Sequence, residues 1–471
     1  MRKYLLKKET VTITIILYFL AQNILAQSDK ARQIDSLMNW TNSIGIFNGN
    51  ILVSKNDKII YNSSWGYTNA SRTEKLTSAF RFNIGSISKE FSAASIISLQ
   101  EKGKLDLDDK ISKFVPELPK WANEISIKNI LQYTSGLPDI NWDKVKSTED
   151  LLNNLKQLDT LLFKPGTNYK YSNNNFFLQQ VIVERIAKIP YNDYLKLFLF
   201  KPCKINRAVV NPTNSMPNIA KSFDDRLVDA PLNLPISGVV YATTDDMLKW
   251  SKCLIKNKVI GEKSVFQIGQ RFDLPNAQSG LGITAFSNNE LIAFQHDGSA
   301  FNYRALLFSD LKDNVTIILL ENNGNEKIFE IADAIKAILK SQKYNLPKKS
   351  FFTQFRSQLD NLSLDEFIDF YNRIRTSQSN IYDVESEVTL NSIGYYLISL
   401  NRLDDAIKIF KLNIDLFPDS FNVYDSMGEA YSNKGDYKSA ILNYKKSLEL
   451  NQNNYNAKQM IENIMKNNPS Y

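Results

Sequence analysis

Ser86 and Lys89 stand three residues apart in the run Phe82-Asn-Ile-Gly-Ser86-Ile-Ser-Lys89-Glu-Phe91. Residues three apart on a helix share a face, so this spacing puts a hydroxyl and an amine within hydrogen-bonding reach. The stretch that follows, FSAASIISL from Phe91 to Leu99, is apolar on nearly all sides, the pattern of a helix packed inside a domain. Burial disfavours the charged form of a lysine, and an uncharged amine beside a serine is a base beside a nucleophile. Ser86 is therefore the candidate covalent catalyst. Spacing alone is weak evidence, because Ser-x-x-Lys recurs at Ser309-Asp-Leu-Lys312, in a polar turn between two strand-like runs with no helix to hold it.

Two further short motifs carry chemistry. Tyr171 and Asn173 lie two apart in Pro165-Gly-Thr-Asn-Tyr-Lys-Tyr171-Ser-Asn173, a loop leading into the amphipathic stretch FFLQQVIVERIAK. Tyr-x-Asn also occurs at Tyr67–Asn69 and Tyr431–Asn433, so it is informative only in company. Gln295-His296-Asp-Gly298-Ser299 joins two strand-like runs, and His296 is the single histidine of the chain. One histidine and two distant cysteines are too few soft ligands for a zinc site, so no metal and no cofactor is expected. A Ser-His-Asp arrangement would have to bring His296 to its serine, whereas Ser86 already has Lys89 beside it.

These residues need elements to hold them. Asn50–Ser54 and Lys58–Tyr61 read as strands joined through Asn56-Asp57, a hairpin signal. Glu290–Gln295, Tyr303–Phe308 and Val315–Leu320 read as three more, followed by a helix with Ile328, Ile331, Ala332, Ile335, Ile338 and Leu339 on one face. Residues 29–43 read as helix, and 104–260 as helix and loop. The expected fold is an α/β (α+β) sandwich over 29–341: one antiparallel sheet flanked by helices, with a helical insertion. Residues 342–385 read as a polar connector. Beyond them two segments within 386–467 align at a period of 34, matching Gly394 with Gly428, Leu403 with Tyr437, Ala406 with Ala440 and Phe410 with Tyr444. That period and those small residues resemble the tetratricopeptide repeat (TPR), a helical interaction module. A helix around Asn456–Lys466 is expected to cap the array. Tyr395, Tyr431, Asn433 and Tyr437 are expected to form a surface for a protein or peptide partner.

The first 26 residues read as a secretion leader: basic MRKYLLKK, an apolar run, and Ala26 before the cleavage point. Export to the periplasm or medium is the expectation, a retained N-terminal membrane anchor the alternative. No cysteine follows the run to carry a lipid. The net charge of +7 falls to +4 once the leader's four basic residues and Glu9 are removed. That is too mild a balance to argue for nucleic acid. Cys203 and Cys253 could pair in an oxidising compartment, but 50 residues of separation says nothing about geometry, and two free, partly buried thiols are the expectation.

Taken in order, Ser-x-x-Lys, Tyr-x-Asn and His-x-Gly resemble the three motifs of the penicillin-recognising serine hydrolases, in the branch of class C β-lactamases, D-Ala-D-Ala carboxypeptidases, D-aminopeptidases and related esterases. Ile127–Pro138, containing Tyr-Thr-Ser-Gly136-Leu-Pro, and Ser237–Leu248 resemble two supporting segments of that family. The resemblance implies that Ser86 is acylated by a substrate carbonyl and that Lys89 eases its deprotonation. Tyr171 would carry a proton between serine and leaving group. Asn173 would orient Lys89 and bind a substrate amide. The backbone N–H groups of Ser86 and Ser299 would form an oxyanion hole, and Gly298 would let the substrate approach. His296 stands where β-lactamases of this group carry lysine. It offers no fixed cation to a substrate carboxylate, which disfavours strong β-lactamase activity and favours peptidase or esterase chemistry. Tyr133 and Val239 depart from the family's histidine and glycine without touching the chemistry. The competing reading is a slow or inactive relative that binds a ligand or partner.

Overall fold

The computed structural model describes residues 29–232, 238–274, 277–325 and 327–468. The leader over 1–26 and Ser237 lie outside the described residues. The chain divides into two compact units, the first ending at Leu346 and the second beginning at Pro347.

The first unit is built on a six-stranded antiparallel sheet drawn from both ends of its sequence. Its strands are β1 (Gly49–Lys55), β2 (Lys58–Trp65), β3 (Ile283–Ser287), β4 (Glu290–Ala300), β5 (Tyr303–Asp310) and β6 (Val315–Glu321). Their order is β2-β1-β6-β5-β4-β3. Side chains alternate between the faces of a strand, and both faces here are covered. Ile51, Val53, Leu306, Ile317 and Leu319 pack with Ile34, Leu37 and Met38 of helix α1 (29–43) and with helix α5 (Ile328–Leu339). Leu52, Phe294, Ala305, Leu307, Ile318 and Leu320 face the other way, toward the helical insertion. Burial on both sides explains why β6 reads as an unbroken apolar run. Asn56 and Asp57 both have positive φ, as a two-residue hairpin turn demands.

β3 was not expected. Its five side chains are mostly exposed, so it shows none of the alternation that marks a half-buried strand. The available signal was Asn288-Asn289, again with both φ positive, turning β3 into β4.

Helix α2 (Ser88–Glu101) runs beneath the sheet with every residue from Ser88 to Leu99 buried. Its serines are satisfied internally. Ser92 Oγ donates to Gln179 Oε1 at 2.7 Å, joining α2 to helix α3 (Asn173–Ala187), and Ser88 Oγ accepts from the Val240 amide at 3.0 Å. Phe91 stacks on Trp250 of helix α4 (Thr244–Ile255) with ring centroids 4.1 Å apart. The insertion also holds a small sheet of Phe82–Asn83, Val240–Ala242 and Val209–Val210, which the sequence did not reveal.

The free-thiol expectation is overturned: Cys203 and Cys253 form a disulfide with Cα atoms 5.4 Å apart. Both are buried, because α4 packs Cys253 into the core that also holds Cys203. Closing a 50-residue loop restricts the unfolded chain, and the Cys203→Ala/Cys253→Ala variant is expected to lose about 2–4 kcal/mol in urea unfolding. An unchanged midpoint and slope would show that the bridge contributes nothing.

The second unit contains α6 (Leu364–Ser377), α7 (Glu387–Ser399), α8 (Leu403–Leu416), α9 (Phe421–Lys434), α10 (Tyr437–Leu450) and α11 (Tyr455–Asn467). The helical hairpins α7–α8 and α9–α10 repeat one packing solution. A Cβ on Gly394 would meet the Phe410 ring at 2.4 Å, and one on Gly428 would meet Tyr444 at 2.8 Å. Ala457 and Ile464 of α11 close the end against Ala440, Ile441 and Tyr444. Residues 342–385 are not merely a connector: Phe367, Tyr371 and Ile374 of α6 are buried in the same core as Leu390, Ile393 and Phe410 of the first hairpin. Of the four residues expected to form a partner surface, Tyr395 and Asn433 are exposed. Tyr431 and Tyr437 are half-buried in helix packing, and the Tyr395 hydroxyl donates to Glu429 Oε2 at 3.0 Å with Ser426 Oγ 3.2 Å away.

Candidate active site

Ser86 sits in a single 3-10 turn, Gly85–Ile87, that leads into α2. Gly85 has φ +52, a conformation that a side chain would strain, and a Cβ there would lie 2.4 Å from the Ser299 nitrogen. The turn is thereby pressed against β4. From this position Ser86 Oγ lies 2.7 Å from the Tyr171 hydroxyl and 3.1 Å from Lys89 Nζ. Lys89 is 6 % exposed, its Nζ set over the rings of Tyr171 and Phe176 at 5.0 and 5.1 Å.

Tyr171 is aimed by its neighbours. Ser172 caps α3 and donates to the Pro138 carbonyl at 2.6 Å, and the Lys170 amide donates to the Tyr133 carbonyl at 2.9 Å. The Tyr133 ring stacks on Tyr171 at 5.0 Å, and Tyr169 meets Tyr133 edge-on at 6.2 Å. Burial pushes the phenols of Tyr133 and Tyr169 up, so both stay protonated near neutrality. Tyr133, which departs from the family pattern, is thus the packing support of Tyr171.

The remaining expected residues divide. Ser299 comes to the Ser86 turn: beyond Gln295, β4 has no strand paired on its outer side among the described residues, and its bare edge meets the turn there. A Cβ on Gly298 would lie 2.9 Å from the Ser86 nitrogen and 2.0 Å from the Ile84 carbonyl oxygen. The two proposed oxyanion donors are therefore neighbours. The same distances correct the part given to Gly298, since what its missing side chain admits is the Ile84–Ser86 backbone and not the substrate. Gly298→Ala must part strand from turn, and is expected to cost about 10²–10³-fold in kcat, the loss of one such donor. Full activity with an intact circular-dichroism spectrum would contradict that geometry. Asn173 is not hydrogen-bonded to Lys89. Its side chain is half-buried and its backbone N–H donates to Asp139 Oδ1 at 3.2 Å. His296 is buried at 3 % exposure, and its Nδ1 lies 2.9 Å from Glu90 Oε1. Glu90 was passed over in the sequence, although a lone carboxylate in an apolar helix signals a buried partner. The second Ser-x-x-Lys is structural: Ser309 lies in β5 with its hydroxyl 2.7 Å from that of Ser251.

The Beta-lactamase family model matches residues 31–340. The chain belongs to the beta-lactamase family. A Tetratricopeptide repeat model matches 421–454, the second helical hairpin. Protein flp of Staphylococcus aureus (strain COL) is similar to this beta-lactamase-family chain, 27 % identical over 361 residues that cover 71 % of each chain. Penicillin-binding protein 4* of Bacillus subtilis (strain 168) is 25 % identical over 358 residues, 69 % of this chain and 79 % of that one. Among solved structures, a class C beta-lactamase superposes with a TM-score of 0.59 at 21 % identity, covering 68 % of this chain and 98 % of its own. The antiparallel sheet with its helices is thus the beta-lactamase and penicillin-binding-protein fold, followed by a helical region that carries the repeat.

Proposed function

We propose that this protein is an exported serine hydrolase that cleaves an amide or ester through an acyl-enzyme on Ser86. The observation that carries this reading is the three-way contact of Ser86 Oγ with Tyr171 at 2.7 Å and Lys89 at 3.1 Å. Ser86 Oγ attacks the carbonyl carbon while its proton passes to the Lys89–Tyr171 pair, and the carbonyl oxygen takes the negative charge toward the Ser86 and Ser299 N–H groups. Collapse of the adduct breaks the bond to the amine or alcohol, which leaves with the proton returned through Tyr171. Water repeats the sequence on the acyl-serine and releases the acid. Lys89 stabilises whichever oxygen carries the charge at each stage.

The apolar leader over 1–26 and the disulfide support an oxidising compartment outside the cytoplasm. The TPR supports a protein or peptide partner held by the second unit. The test is a hydrolysis screen over a cephalosporin, a D-Ala-D-Ala peptide and a short-chain ester, run beside mass spectrometry after incubation with a β-lactam. Turnover of one class, with a mass adduct on the Ser86 peptide, is the expected result. An adduct without turnover would instead favour the slow, ligand-binding relative.

A further inference from the structure

Glu90 lies fully buried, one residue after Lys89, and both of its oxygens are occupied. Oε2 accepts from Trp250 Nε1 at 2.7 Å, and Oε1 lies 2.9 Å from His296 Nδ1. An indole N–H can only donate, which fixes Oε2 as an acceptor. Three proton arrangements then satisfy the pair: a carboxylate with a neutral imidazole, a carboxylate with an imidazolium, or a carboxyl donating to a neutral imidazole. The fourth, a carboxyl beside an imidazolium, would aim an O–H at the N–H of either His296 or Trp250. In the three allowed arrangements the pair carries a charge of zero or −1, never a positive one.

The place where this happens matters. His296 and Gly298 share a face of β4, two residues or about 7 Å apart along the strand, and a Cβ on Gly298 would lie 2.9 Å from the Ser86 nitrogen. His296 therefore stands one pleat from the nucleophile's turn. Its Nε2 carries no protein hydrogen bond among the described residues.

We propose that Glu90 determines which substrate charge this site accepts. It orients His296 through Nδ1, cancels any positive charge there, and leaves Nε2 as a hydrogen-bonding group and not a cation. The site is then matched to amides and esters with no free carboxylate beside the scissile bond. This rests on the acyl-enzyme reading above, and Glu90 acts through His296 as a positioning residue.

The test compares a depsipeptide ending in a free carboxylate with its terminal amide, on the full chain. If Glu90 sets the charge, His296→Lys alone leaves the kcat/KM ratio of the two within about threefold of wild type, because Glu90 neutralises the new ammonium. His296→Lys/Glu90→Gln then raises the ratio for the carboxylate at least tenfold. A tenfold rise in the single variant, or none in the double, overturns the proposal. The single histidine allows a readout independent of turnover. In ¹⁵N-histidine NMR of the untagged protein, the neutral ring is expected to carry its proton on Nδ1, and Glu90→Gln is expected to alter that pattern. A histidine pattern that Glu90→Gln leaves unchanged overturns the assignment. If the wild type turns over neither substrate, the β-lactam adduct on the Ser86 peptide still tests the acyl-enzyme reading, and the NMR result decides the part played by Glu90.

Discussion

Replacing Ser86 by alanine is expected to remove hydrolysis of every substrate that the wild type cleaves, by at least about 10⁴-fold in kcat. The change deletes the one oxygen that both Tyr171 and Lys89 contact and leaves all else in place. Ser86 is half-buried in a three-residue turn whose shape is held by Gly85 and Ile87, so folding does not depend on the hydroxyl. Kinetics and a thermal melt on the same preparation check both halves. Residual turnover above a hundredth of wild type would transfer the nucleophile elsewhere.

Lys89→Ala is expected to be nearly as severe, about 10³-fold, the upper part of what a positioned acid–base group contributes. The structure makes this variant more telling than the spacing did. Tyr171 contacts Ser86 directly at 2.7 Å, and that contact survives the loss of Lys89. The Tyr171 ring also lies 5.0 Å from Lys89 Nζ, so the lysine touches serine and tyrosine together. Activity within tenfold of wild type would mean that Tyr171 alone moves the proton. Because Lys89 is buried, the alanine opens space for its whole side chain. Lys89→Met, which keeps most of the volume, separates the kinetic effect from the packing loss.

What the sequence made legible follows the range of each interaction. Ser86 with Lys89 is a local pair on one turn, and the hydrophobic periods of β1, β5, β6 and α5 are local too. These were read correctly because nothing outside the segment is needed to see them. The repeat was legible because Gly394 and Gly428 each answer one large ring in the next helix, at the same offset. The failures are long-range or are exposed. Glu90 meets a partner 206 residues away. The disulfide depends on where α4 docks. β3 shows no apolar face because it is an edge strand in solvent. Gly298 was read as room for a substrate, whereas only the folded chain reveals that Ile84 fills that room.

β3 ends its pairing at Ile283 opposite Gln295, while β4 continues to Ala300. A bare strand edge is an invitation to any extended chain, and here the uncovered portion is the one that meets Ser86. The length of β3 thus acts as a ruler. It shields half of β4 from unwanted pairing, and past it the chain itself closes on the strand, Gly282 against His296 and Gly85 against Ser299.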